Sequence, residues 1–95
     1  MSAISLSKGE TPNEMTLHLP GLVVWFSHET PVAFRSAETG RLVRENDWGV
    51  TTGKHLNRID GGDKHAKARR IPGATFEREL DIAINTAMHR QAVGA

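Results

Sequence analysis

The chain has 95 residues, 38% hydrophobic and 24% charged, with a formal net charge of +1; this suits one core rather than two and is too apolar for global disorder. The absence of cysteine excludes disulfides and thiolate metal sites. The longest apolar run, Leu22-Val23-Val24-Trp25-Phe26, is far too short to span a bilayer, and Met1 to Pro12 lack the basic start and apolar stretch of a secretory signal. A cytoplasmic protein with no membrane partner is the expectation.

Residues 1–14 are polar and read as a flexible leader, in which Ile4 and Leu6 could add an edge strand. Residues 15–95 read as a single α+β domain. Leu17 and Leu19 alternate with Thr16 and His18 as in a half-buried strand, and Pro20-Gly21 supplies a turn. Leu22 to Phe26 is β-branched and aromatic, long enough for a strand and too short for a helix. Pro31 opens a third strand at its start or at an edge, with Val32 and Phe34 on one face and Ala33 and Arg35 on the other. Glu38-Thr39-Gly40 is a hairpin loop, and Arg41 to Glu45 returns as a fourth strand with Leu42 and Arg44 opposite Val43. Short connections make the set an antiparallel meander of three to four strands.

Beyond Asn46-Asp47 a short helical turn is expected over 53–59, capped by Thr52, buried through Leu56 and Ile59, and stopped at Gly61-Gly62. Residues 60–70 lack apolar periodicity and read as an exposed loop. Phe76, Leu80, Ala83, Ile84 and Ala87 then fall at helical spacing, with Thr75 as N-cap and Glu77 and Glu79 in the first turn. Such a helix is marginal alone, so its stripe must lie on one face of the sheet.

Charge is unevenly placed. Residues 51–75 carry six bases (Lys54, Arg58, Lys64, Lys67, Arg69, Arg70) against two acids, whereas residues 1–50 carry six acids against four bases. A cationic connector could track a phosphate backbone or meet an acidic protein face. It holds no aromatic between residues 49 and 75, hence no base-stacking platform of its own. Glu38, Glu45, Asp47 and Trp48 form a second candidate surface. Trp48 is expected in the core as a plug at the sheet end, with an exposed interface anchor as the competing reading.

Catalytic and metal motifs fail on spacing. Gly49 to His55 suggests a phosphate loop, yet three residues instead of four separate its glycines, and His55 replaces the hydroxyl that would bind magnesium. No two of His18, His28, His55, His65 and His89 stand four apart. No cofactor or metal is called for, and the chain reads as a non-enzyme. An enzyme would need His28, His55 and Lys54 to converge in one pocket.

Two segments together resemble a family of short bacteriophage and plasmid proteins. One runs from Trp25 through His28-Glu29-Thr30-Pro31 to Phe34. The other is Glu45-Asn46-Asp47-Trp48-Gly49-Val50-Thr51-Thr52-Gly53-Lys54-His55-Leu56-Asn57. The likeness extends over most of residues 22–85, including Arg70-Ile71-Pro72, and departs at His28, where tyrosine is usual, and at Gly49, where serine is usual. It brings no activity with it and implies a mobile-element accessory protein. The resulting expectation is a binder of a host protein or protein–nucleic-acid complex, an anti-defence inhibitor such as an anti-CRISPR protein being the sharpest form. The alternative is a small nucleic-acid-binding or regulatory protein using residues 54–70.

Overall fold

The computed structural model describes residues 4–9 and 13–93, with the side chains of 90–93 left aside. Five strands, β1 (Ser5–Lys8), β2 (Glu14–Leu19), β3 (Leu22–Ser27), β4 (Thr30–Ser36) and β5 (Gly40–Val43), form one sheet in chain order, every pair antiparallel. Three helices follow: α1 (Val50–Asp60), α2 (Lys64–Ala68) and α3 (Gly73–Val93). The α+β meander is as expected, with one more strand. Ser5–Lys8, inside the segment expected as a leader, pair with β2 through Leu6 opposite Leu17.

The turns follow local chemistry. Gly21 takes φ 72 after Pro20, and Gly40 takes φ 72 before β5, a left-handed backbone that glycine adopts without a Cβ penalty. The β3–β4 turn instead places His28 at φ 59. In β4, Pro31 has no amide for the ladder, and the pairing slips there: Trp25 faces Ala33 while Phe26 faces Pro31, so Val32 is the extra residue of a bulge. The bulge corrects the expected alternation. Val32 joins Ala33, Val43 and Leu56 on one face, and Phe34 lies on the other.

Both faces of the sheet are covered. Leu22, Val24 and Phe34 meet Phe76, Leu80 and Ala87 of α3, with Ala83 and Ile84 packed beside them; the Phe34 and Phe76 rings lie 5.6 Å apart. On the opposite face α1 lays Leu56 against Val32, Ala33 and Val43, flanked by Trp25 and Ile59. Burying Leu56, Phe34 and Phe76 stabilises by roughly 1.5–3 kcal/mol each before entropy.

The helices are longer than the sequence indicated. α1 begins at Val50, capped by Gly49 without a side-chain bond, so Thr52 lies inside the helix and is no N-cap. It stops as expected at Gly61, φ 89, whose amide bonds Asn57 O. The expected loop over 60–70 contains α2, because the Asp63 carboxylate accepts from Ala66 N at 2.7 Å and Ala66 is buried. α3 starts at Gly73 and includes Thr75, the expected cap; Gly94, a residue suited to the C-terminal end of this helix, lies outside the described residues.

Candidate functional site

Two of the six cations of the basic segment are engaged in ion pairs. Arg58 Nη1 pairs with Glu14 Oε2 at 2.7 Å. Arg70 holds both oxygens of Asp60, Nε to Oδ2 at 2.9 Å and Nη2 to Oδ1 at 3.0 Å, with each side chain under a tenth exposed. Burial alone would raise the Asp60 pKa, but the Arg70 hydrogen bond, the Gly62 amide and the charges of Arg70 and Arg41 outweigh it and hold the carboxyl below its ordinary value of 3.8. Lys54, Lys64, Lys67 and Arg69 remain exposed. Sequence counting missed this because the neutralising partners of Arg58 and Arg70 are set by the fold.

The acidic and aromatic candidates are also divided. Glu38 sits in the β4–β5 hairpin, whereas Glu45, Asp47 and Trp48 follow the far end of β5. Trp48 does not plug the core: it is 49% exposed, beside Val50 at 77%. Its support is local. Asn46 Oδ1 accepts from Trp48 N, and Asn46 Nδ2 donates to Gly49 O, both at 3.0 Å, so one amide side chain spans the entry to α1.

Arg44 lies underneath. Its guanidinium stands 4.7 Å from the Trp48 ring centroid and 5.6 Å from that of Phe76. Although Arg44 is only 8% exposed, its ion pairs to Asp47 and Glu77 are both long, at 3.5 Å. Among the described residues its Nε is the one buried side-chain nitrogen or oxygen without a partner. Gly73 makes the space, since a Cβ there would overlap Arg44 Nη2. The sequence carried a partial signal in Asn46-Asp47-Trp48, an Asx-turn pattern, but none for Arg44 or Gly73.

His28 and His55 do come together, with ring centroids 5.8 Å apart. His55 Nδ1 shares a hydrogen bond with Ser27 Oγ at 2.5 Å, and Ser27 Oγ contacts Thr52 Oγ1 at 3.3 Å. Nucleophilic use of such a pair requires a reachable hydroxyl, yet Ser27 and His55 are each 2% exposed. The contact reads as a polar pin fastening α1 to the end of β3. Lys54 is exposed on α1, whereas His55 is buried. Among the described residues no group of three His, Asp or Glu side chains could hold a metal ion, and no helix is long and apolar enough to cross a membrane.

These features define a small α+β protein with a five-stranded antiparallel sheet between two helices and a supported tryptophan at one corner. The chain belongs to the family of unknown function DUF8033, which matches residues 4–78. That match takes in all five strands, α1, α2 and the start of α3. No curated protein and no solved structure is significantly similar to it.

Proposed function

We propose that this protein acts without catalysis, by binding a protein partner through the corner formed by Trp48, Val50, Glu45 and Asp47. One observation carries the reading: Trp48 is half exposed yet supported by the buried guanidinium of Arg44 and by Asn46. Tryptophan dominates binding hot spots because it removes a large surface from water at small entropic loss. A ring already supported in the free protein loses less freedom on docking. The adjacent acids would select the partner and speed encounter by complementary charge.

The resemblance to phage and plasmid proteins gives the sharpest form of the proposal, an inhibitor that occludes a bacterial defence complex such as a CRISPR effector. Affinity capture from host lysate with wild-type protein and Trp48→Ala tests the binding. A stoichiometric partner whose recovery falls at least tenfold in the variant, with the circular dichroism unchanged, is the expected result. No stoichiometric partner, or one retained equally by Trp48→Ala, overturns it.

A further inference from the structure

A second feature lies along β5. Between β5 and α2 is a cleft of about 410 Å³ lined by Arg41, Leu42, Val43, Asp60, Ala66 and Arg69, within the size range of small-molecule sites (about 300–1,000 Å³). Its charge is unbalanced. Asp60 is the one acid on its wall, and both of its oxygens are taken by Arg70, with the Gly62 amide as a further donor. Arg41 spends one N–H on the Ile59 carbonyl at 2.7 Å. Neither Arg41 nor Arg69 makes a salt bridge among the described residues.

A further cation stands beside the cleft without lining it. Arg35 of β4 is the direct cross-strand partner of Arg41, and it too is exposed and forms no salt bridge among the described residues. Like charges directly opposite one another destabilise a strand pair.

We infer that this cleft binds a phosphate ester. Arg41 and Arg69 supply planar N–H forks that match phosphate oxygens, which a lysine cannot do in the same geometry. Val43 and Ala66, both buried, close the back of the cleft. The phosphate could come from a free mononucleotide or from a nucleic-acid strand, and the two sources are separable by experiment. The inference does not use the Trp48 corner, none of whose residues lines the cleft.

The test is calorimetric titration of the full chain at low salt with adenosine monophosphate, inorganic phosphate, adenosine, and a short single-stranded oligonucleotide without a terminal phosphate. Arg69→Gln is the main variant, because Arg69 is exposed; Arg78→Gln, at an exposed position on α3, is the control for non-specific charge. Expected is binding of adenosine monophosphate that adenosine does not reproduce, weakened at least tenfold by Arg69→Gln and unchanged by Arg78→Gln. Binding of the oligonucleotide alone, with the same dependence on Arg69, supports the site and assigns the strand as the source. No heat with any phosphate-bearing probe, equal binding of adenosine, or binding that survives Arg69→Gln overturns the inference.

Discussion

Arg44 lies 4.7 Å beneath the Trp48 ring while itself buried against Phe76. This pairing joins the exposed corner to the core formed by β3, β4 and α3. Its ion pairs are long and its Nε has no partner, so the desolvation of the guanidinium is poorly compensated. Replacing an imperfectly satisfied buried charge with an apolar side chain of similar length is often neutral or stabilising.

Arg44→Met is therefore expected to leave the unfolding free energy within about 1 kcal/mol of wild type, or to raise it. The carboxylates left behind do not oppose this, since Asp47 and Glu77 are 58% and 70% exposed. Trp48 should nevertheless lose its fixed seat. In a Trp25→Phe background, acrylamide quenching of Trp48 should increase while the thermal midpoint holds. A loss above about 3 kcal/mol would show that the guanidinium holds the corner together through strong pairs.

The pin between Ser27 and His55 should behave in the opposite way. Ser27→Ala leaves His55 Nδ1 buried without its partner, a loss of about 1–3 kcal/mol. The double variant Ser27→Ala/His55→Leu removes both polar groups and should recover part of that loss. A double-mutant cycle in chemical denaturation reads the coupling directly. Additive losses would show that the two side chains do not depend on one another.

Asp60 sets an acid limit on stability. Its carboxyl is held below 3.8 by Arg70, Gly62 and Arg41 despite burial. A carboxylate with a depressed folded pKa contributes stability that is fully present above its unfolded value and disappears as pH falls through the folded one. The contribution of Asp60 should thus be intact at pH 5 and be lost below about pH 4. Asp60→Asn should remove that dependence and lower stability at neutral pH by about 3–5 kcal/mol, because Arg70 is left buried and unpaired. Thermal midpoints of both proteins between pH 2 and 7 provide the check.

Much of the sheet was legible because alternation and turn residues act locally: Leu17 and Leu19, Pro20-Gly21 and the Gly40 hairpin all fell where their chemistry requires. The stripe from Phe76 to Ala87 was equally plain. What escaped depends on neighbours distant in sequence. Val32 changes face only because Pro31 cannot donate to the ladder and the pairing with Phe26 slips. α2 is five residues long, too short to show a period, and is marked only by the Asp63 cap. The candidate sites were least legible. Charge along the chain suggested a patch over 54–70, but Glu14 and Asp60 neutralise two of its arginines, while Arg35 and Arg41 reach the same end of the sheet from outside that segment.

The β3–β4 turn gives the last prediction. His28 occupies φ 59, where a side chain with a Cβ is disfavoured by roughly 1–2 kcal/mol and a β-branched one is least tolerated. The same turn carries Ser27, so its shape fixes the pin to α1. His28→Val and His28→Gly both delete the ring that faces His55, and comparing them isolates the backbone effect. The glycine variant should be the more stable by about 1 kcal/mol, after allowing for the greater freedom glycine gives the unfolded chain. Chemical denaturation of the two variants measures the difference. Equal stability, or valine ahead, would mean that the left-handed turn is not retained in solution.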